Sequence, residues 1–162
     1  MPSSVVNASA DWMRRIIRVL GASEGLGQFL LRRPAELTAL RDALSEPPTD
    51  DAYRRDIIEA VAELTGEDAR LALRVRYRRH LLQLAAWDLD HEDPLTAMPA
   101  IGRALADLAG ASLDAGLDVS RRECGFPAAQ VAATRLAIIG MGKCGAAELN
   151  YLSDVDVIYA VE

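Results

Sequence analysis

The stretch IIGMGKCGAAELNYLSDVDVIYAVE, residues 138–162, decides the fold class of this chain. The runs LAIIGM and VDVIYAV, which lie at its two ends, are short, apolar and rich in β-branched residues, and they predict two strands. Between them, KCGAAELNYL has room for two or three turns of helix after a glycine-rich turn. The predicted order is therefore strand, glycine loop, short helix, strand.

The part of the chain before this stretch is predicted to be helical. From residue 10 to residue 134, apolar residues recur at spacings of three and four, and Ala, Leu, Arg and Glu dominate. The predicted helices are ADWMRRIIRVL, PAELTALRDAL, DAYRRDIIEAVAEL, EDARLALRVRYRRHLLQLAAWDL and one from Pro94 to about Leu117. VSRRECGFPAAQ is non-periodic and is predicted to be a connector. We expect a predominantly α, α+β protein with a helical bundle-like region at 1–122, a connector at 123–134 and a strand-containing segment at 135–162.

Charge and hydropathy narrow the functional classes. A formal net charge of −6 argues against binding nucleic acid across a broad surface, because such binding depends on neutralising phosphates with Lys and Arg. The longest apolar runs are too short to cross a bilayer, and the first residues lack the basic and apolar regions of a signal peptide. We therefore expect a cytoplasmic protein without nucleic-acid or membrane partners.

The glycine loop carries a G-x-G-x-x-G pattern at Gly140, Gly142 and Gly145. A glycine loop between a strand and a helix is the outline of a phosphate site, since free amides and the helix dipole both favour an anion. A Rossmann unit also expects an acidic residue about 20 positions further on, and Glu162 stands there. A Rossmann NAD-dependent oxidoreductase is therefore one alternative.

Two aspartates, Asp154 and Asp156, favour a different chemistry. Side chains two apart on a strand share a face, so these carboxylates would repel each other unless a cation lay between them. Mg²⁺ suits such a pair, because it binds through one or two carboxylates and leaves positions for water and phosphate oxygens. The pattern predicts a combined phosphate and Mg²⁺ site; a solvated strand end without a ligand is the alternative.

Residues 140–159 resemble the signature GMGK-x-G-x-x-ELN-[YF]-x-SD-x-D of the glutamine synthetase adenylyltransferase and adenylyl-removing enzyme family, within the polymerase β-type nucleotidyltransferases. The matching residues are Gly140, Met141, Gly142, Lys143, Gly145, Glu148, Leu149, Asn150, Tyr151, Ser153, Asp154 and Asp156. The ELN-Y-x-SD form resembles the amino-terminal, adenylyl-removing half of that family. A weaker similarity covers residues 12–120.

The resemblance implies a bifunctional regulatory enzyme that attaches AMP to a tyrosine of glutamine synthetase and removes it by phosphorolysis. It implies Mg²⁺ as cofactor, ADP or ATP and inorganic phosphate as substrates, and glutamine synthetase as partner, with a PII-type signalling protein as a candidate second partner. Residues 135–162 would be the first strand, helix and strand of the catalytic domain. The implied catalytic and metal-binding residues are Asp154 and Asp156, and the implied nucleotide- and phosphate-binding residues are Gly142, Lys143, Gly145 and Ser153.

The resemblance also implies a third catalytic carboxylate, and this sequence has no later strand to carry it. Nucleotidyltransferases of this type use a third carboxylate on a later strand, and this sequence ends six residues after Asp156. We therefore expect a fragment that is inactive alone. A helical protein-interaction module with a vestigial nucleotide site is the alternative from another functional class.

The arginine-rich helix predicted before residue 90 allows two interpretations. Arg70, Arg74 and Arg78 form a stripe at spacing four, with Arg76 and Arg79 beside it. They could face a nucleotide or an acidic partner. A solvated face paired with nearby Asp and Glu is the interpretation that we favour.

Overall fold

The computed structural model of the chain describes residues 3–162, and their side chains from residue 9 onward. The described part is helical up to Ala133 and ends in two strands, which confirms a predominantly α, α+β fold. The elements are α1 (Ser3–Ala22), α2 (Glu24–Arg32), a 3-10 helix (Pro34–Leu40), α3 (Asp50–Val61), α4 (Gly66–Asp90), α5 (Pro94–Glu123), α6 (Ala128–Ala133), β1 (Leu136–Gly140), α7 (Gly142–Gly145) and β2 (Val157–Val161).

Side-chain caps set two of the helix starts. The Thr49 side chain accepts a hydrogen bond from the Ala52 amide and begins α3; the sequence allows either Thr49 or Asp50 as this cap. Ser23 caps α2 in the same way through the Leu26 amide. Pro34 occupies the first turn of the next helix, where its missing N–H costs nothing.

The segment PAELTALRDAL is shorter and more tightly wound than predicted, since it forms a 3-10 helix that ends at Leu40. The reason lies in Arg15, which is only 8% exposed. Its Nε donates to the Leu40 carbonyl at 3.1 Å and its Nη2 donates to the Arg41 carbonyl at 2.8 Å. Because the guanidinium already donates to these carbonyls, continuing the helix would add few further backbone hydrogen bonds.

Helix α5 extends to Glu123, beyond the predicted end near Leu117, and the predicted connector contains the short helix α6. Long-range bonds hold the extra turn of α5. Arg122 donates to the Val61 carbonyl at 2.7 Å, and the Glu123 carboxylate accepts from the Gly66 amide. The end of α5 is thus fixed by residues far away in sequence.

The chain divides into two compact units. The first comprises the residues up to Pro47 together with Arg78–Met98, and the second comprises Pro48–Tyr77 together with Pro99–Glu162. Each has its own buried apolar residues: Val19, Phe29, Leu40, Leu82, Leu84 and Trp87 in the first, and Tyr53, Ile57, Val61, Leu105, Leu108 and Leu149 in the second. The domain boundaries predicted after residues 122 and 134 stay a prediction. No helix in the described part is both long and apolar enough to cross a bilayer.

The two strands of the second unit pair in antiparallel fashion. The register runs from Leu136 opposite Val161 to Gly140 opposite Val157. A Rossmann dinucleotide unit requires parallel strands joined by a crossover helix, so the Rossmann alternative is wrong for this segment. The intervening helix α7 is also a single turn, Gly142–Gly145, instead of the two or three turns predicted.

Candidate functional site

The glycine loop begins where β1 ends at Gly140. Met141 follows in an extended conformation, and Gly142 starts helix α7 with a φ of +54°. A side chain is strained at such a left-handed φ, so Gly142 is needed for the backbone conformation itself. Adjacent to it, Lys143 is exposed.

Gly145 is needed for a different reason. A Cβ at Gly145 would overlap the carbonyl oxygen of Gly140, because the turn folds back onto the end of the strand. A Cβ at Gly140 would lie 3.4 Å from the Cys144 Sγ and 3.5 Å from the Gly145 nitrogen, which are ordinary contacts. Two of the three glycines therefore have clear backbone reasons, and the G-x-G-x-x-G pattern here makes a tight turn on a strand end.

The hydrogen bonds within this turn leave the amides of Gly142 and Lys143 free to donate to a ligand. The Gly145 amide donates to the Met141 carbonyl at 3.1 Å, and the Ala146 amide donates to the Gly142 carbonyl at 2.9 Å. The amides of Gly142 and Lys143 precede these bonds, and amides at the start of a helical turn have no acceptor within it. In the described part of the chain the Lys143 ammonium forms no ion pair. Two backbone amides and the side chain of a lysine thus lie next to each other in this turn.

The two aspartates lie just before β2, which begins at Val157; the sequence predicted a strand already from Val155, so this boundary is corrected. The carbonyl oxygen of Asp156 accepts a hydrogen bond from the Met141 amide at 2.8 Å. This bond continues the strand pairing by one step and brings the D-x-D backbone to the first residue of the glycine loop. Both Asp154 and Asp156 are exposed, and neither pairs with a Lys or Arg among residues 9–162.

Asn150 shapes the turn that precedes the aspartates. Its Oδ1 accepts from the Leu152 amide at 3.1 Å and from the Ser153 hydroxyl at 2.8 Å. This is the Asx-type turn that Asn favours. Asn150 therefore acts on the local backbone, and the proton of Ser153 is directed towards it. The role of Ser153 as a nucleotide-binding residue stays a prediction.

Two further residues hold the loop, and neither was assigned a role from the sequence. Leu149 is only 5% exposed and anchors the loop in the core of the second unit. Gly102, on α5, is buried, and a Cβ there would lie 3.2 Å from the Cα of Glu148. For Gly102 the only signal in the sequence is that a glycine lies inside a long helical pattern, where it lowers helix stability.

Cys144, beside the glycines, is a poor candidate for chemistry. It is half-buried, and burial raises the pKa of its thiol, so the reactive thiolate is scarce at neutral pH. Its place next to Gly140 indicates packing under the turn.

Four of the five arginines of α4 are paired with nearby acids, as expected; Arg78 has no such partner among the described residues. Arg70 contacts Glu67 and Glu123 at 3.3 and 3.4 Å, and Arg76 contacts Asp56 at 3.4 Å. Arg74 and Arg79 also have acidic partners. These pairs explain most of the stripe without an external ligand.

Comparison with known proteins decides the family. The family model described as glutamate-ammonia ligase adenylyltransferase matches residues 13–162. The chain belongs to the glutamate-ammonia ligase adenylyltransferase family. The resemblance noted from the sequence is thereby confirmed, and the enzyme class of the family is that of an adenylyltransferase.

Curated relatives of this adenylyltransferase family agree. The chain is 51% identical over 161 residues to a bifunctional glutamine synthetase adenylyltransferase/adenylyl-removing enzyme of Leifsonia xyli, a match that covers 92% of the chain and 16% of that relative. Enzymes of the same description from Cutibacterium acnes and Mycobacterium tuberculosis are each 40% identical, with 91% of the chain and 16% and 15% of the relative covered. The chain thus spans about a sixth of the length of these adenylyltransferases.

The residues present fit part of the Mg²⁺ site that this adenylyltransferase family implies. Asp154 and Asp156 offer exposed carboxylate oxygens, the ligand type that Mg²⁺ prefers, without a competing cation. In the described part of the chain no three His, Cys, Asp or Glu residues gather into a metal-binding group. The described residues thus offer two candidate Mg²⁺ ligands, Asp154 and Asp156, with the glycine loop next to Asp156.

Proposed function

We propose that this chain begins the Mg²⁺-dependent nucleotidyl-transfer site of a bifunctional glutamine synthetase adenylyltransferase/adenylyl-removing enzyme, in its adenylyl-removing half. The observation that carries this proposal is the 2.8 Å bond from the Met141 amide to the Asp156 carbonyl. It joins the backbone of Asp156 to the glycine loop, and we infer from it that the two exposed carboxylates and the turn bearing Lys143 act as one site. That combination suits a phosphorylated substrate held with a divalent cation.

The proposed reaction is phosphorolysis of the AMP-tyrosine bond of glutamine synthetase. An oxygen of inorganic phosphate forms a bond to the α-phosphorus as the bond from that phosphorus to the tyrosine oxygen breaks. The products are ADP and the unmodified tyrosine, which takes up a proton. In-line displacement of this kind is catalysed mainly by positioning and by stabilising charge on the phosphoryl oxygens.

Each group in the chain has a proposed role. The Gly142 and Lys143 amides and the Lys143 ammonium hold phosphate oxygens, and Gly145 lets the turn close on β1. Asp154 and Asp156 hold Mg²⁺, which when bound neutralises the attacking and leaving oxygens. The Ser153 oxygen, oriented by Asn150, lies next to Asp154 in the chain and offers lone pairs to the nucleotide or its metal-bound water.

Two ligands are fewer than this chemistry uses. The described residues gather no third carboxylate beside Asp154 and Asp156, so we propose that the isolated chain does not turn over. For the whole enzyme we propose a cytoplasmic location, glutamine synthetase as partner and control by a PII-type signalling protein.

The test uses a chimera in which this chain replaces the matching segment of the Leifsonia xyli enzyme. Phosphate-dependent release of ADP from adenylylated glutamine synthetase is measured. Asp154→Asn and Asp156→Asn should each lower kcat by roughly a hundredfold or more, since even residues that merely support metal ligands cost 10- to 100-fold. Glu162→Gln removes another exposed acid, one that is paired only with Arg135 in the described structure, and it should leave kcat unchanged.

Three results would count against the proposal. One is full activity of the two aspartate variants, which would leave a helical interaction module with a vestigial site. Another is a folded but inactive chimera beside an active parent enzyme. Turnover by the isolated chain would refute its predicted inactivity and show that a third carboxylate is dispensable.

A further inference from the structure

Gly102 lies in the interior of α5, where glycine is less favourable than alanine. It is buried, and a Cβ at this position would lie 3.2 Å from the Cα of Glu148 and 3.4 Å from the carbonyl oxygen of Ala147. The 3.4 Å contact is ordinary, but at 3.2 Å the two backbones must separate by a few tenths of an ångström. The absence of a side chain at Gly102 therefore lets α5 approach the backbone of the turn formed by residues 147–149, which we call the 147–149 turn.

The 147–149 turn is held tightly at this contact. Ala147 has a φ of +58°, a left-handed conformation that a residue with a side chain adopts only when its surroundings impose it. Leu149, at the other end of the turn, is buried. The turn is thus fixed by α5 on one side and by an apolar anchor on the other.

Hydrogen bonds connect the 147–149 turn to the proposed site. The Glu148 amide donates to the Lys143 carbonyl at 2.8 Å, and the Ala147 amide donates to the Cys144 carbonyl at 3.2 Å. At the other end of the glycine loop the Met141 amide is bonded to Asp156. Lys143 therefore lies between two backbone attachments, one leading to α5 and one leading to the D-x-D segment.

We propose that Gly102 is a positioning residue, which sets the place of Lys143 relative to Asp156 through the 147–149 turn. The inference rests on the proposed function of those two residues. A Cβ at Gly102 displaces Glu148, and the 2.8 Å bond from its amide carries that displacement to the phosphate-holding part of the loop. Gly102 itself touches neither substrate nor metal.

Gly116 supplies a matched control in the same helix. It also lies inside α5, but a Cβ there meets no atom within 4 Å. Gly116→Ala therefore adds the same methyl group and the same gain in helix propensity without touching the loop.

The first measurement uses amide hydrogen exchange in the 162-residue chain, followed by NMR. Gly102→Ala should lower the protection of the Glu148 amide roughly tenfold, about the effect of losing one net hydrogen bond. Gly116→Ala should leave that protection unchanged. Leu149→Ala releases the same turn without altering α5, and it should also lower the protection of Glu148.

The second measurement uses the chimera. Gly102→Ala should lower kcat by up to about 10-fold, because the expected displacement is smaller than the roughly 1 Å misplacement that can cost about 100-fold. The KM for adenylylated glutamine synthetase should change by less than about twofold, because the protein substrate is not bound by Gly102. A merely structural role would instead lower the thermal midpoint and leave kcat per folded enzyme unchanged.

The outcomes separate the two proposals. Unchanged kcat and unchanged Glu148 protection in Gly102→Ala, with inactive aspartate variants, overturn the positioning role and leave the proposed function standing. Active aspartate variants overturn the proposed function. If Gly102→Ala and Leu149→Ala both unfold the chain cooperatively while Gly116→Ala does not, Gly102 serves the core as a whole and the positioning role is wrong.

Discussion

The Met141 amide donates to the carbonyl oxygen of Asp156 at 2.8 Å, one step beyond the pairing of Gly140 with Val157. Sequence position separates these two residues by the whole glycine loop, helix α7 and the Asn150 turn. The bond makes them neighbours through backbone groups alone. The sequence spacing between the glycine loop and the aspartates is thus the one that lets the backbone of Asp156 pair with Met141.

A first prediction concerns metal binding by the isolated chain. Since Asp154 and Asp156 are exposed and form no ion pair in the described structure, Mn²⁺ should bind there weakly in place of Mg²⁺. Paramagnetic broadening in NMR spectra should affect the amides of Asp154 and Asp156 first, and that of Met141 next. Asp156→Asn should abolish the effect and Glu162→Gln should not; equal broadening in both variants would show that the metal binds elsewhere.

The buried Arg15 supports a prediction about stability. Its guanidinium bonds to the Leu40 and Arg41 carbonyls, so Arg15→Ala removes two charged hydrogen bonds and leaves two carbonyls to find other partners. We expect a loss of about 2–4 kcal/mol of unfolding free energy, measured by urea titration. Arg14→Ala, which removes an exposed ion pair with Asp11, should cost no more than about 0.5 kcal/mol. Equal costs would show that the buried contacts contribute nothing.

These examples show what the sequence can predict about the helices. The cap at Thr49 and the start at Pro34 were predictable because each depends on residues within one turn. The ends at Leu40 and Glu123 were not: Arg15 lies 25 residues before Leu40, and Arg122, next to Glu123, bonds to the Val61 carbonyl 61 residues away. Local propensity carries no information about such partners.

The candidate site divides in the same way. A glycine loop followed by D-x-D was predictable, since motif and spacing lie within one short stretch. The antiparallel pairing of β1 with β2 and the approach of Gly102 to Glu148 were not. Strand direction depends on how the connection folds, and a close contact between α5 and a loop depends on packing across the unit.

Asp107 supports a prediction about pH. Burial raises the pKa of its carboxyl group, the charge of Asp50 raises it further, and Arg103 and Arg54 oppose the shift. Just above the ordinary pKa of an aspartate, the folded chain therefore keeps a proton that the unfolded chain has lost. In that window the contribution of Asp107 to stability falls as pH rises, and it is unfavourable at neutral pH.

Asp107→Asn removes this unfavourable charge. The variant should be more stable than the wild type at pH 7 by a few tenths of a kcal/mol, because solvent screens a half-buried group. The difference should disappear below the unfolded pKa, where Asp107 is neutral in both states. Urea titrations at several pH values check this, with Asp118→Asn, which breaks an ion pair with Arg122, expected to give no gain at pH 7. A destabilised Asp107→Asn variant at pH 7 would contradict the expected sign.

The three glycines of the loop should differ in their tolerance of alanine. Gly140→Ala makes ordinary contacts with the Cys144 Sγ and the Gly145 backbone and should have almost no effect. Gly142→Ala imposes a left-handed φ on alanine, at a cost of about 1–2 kcal/mol. Gly145→Ala forces the turn away from the Gly140 carbonyl and should cost the most, because a clash with backbone cannot relax through a rotamer change.

Exchange of the Gly145 and Met141 amides measures these effects locally, since the first bonds to the Met141 carbonyl and the second to Asp156. The loss of protection at both amides should be smallest in Gly140→Ala, larger in Gly142→Ala and largest in Gly145→Ala, where it should be roughly tenfold or more. The global unfolding midpoint should move much less, because a local opening of the loop leaves the helices folded. If Gly145→Ala were tolerated as well as Gly140→Ala, the turn would not close on the strand end, and the amides beside Lys143 would not be held for a phosphate.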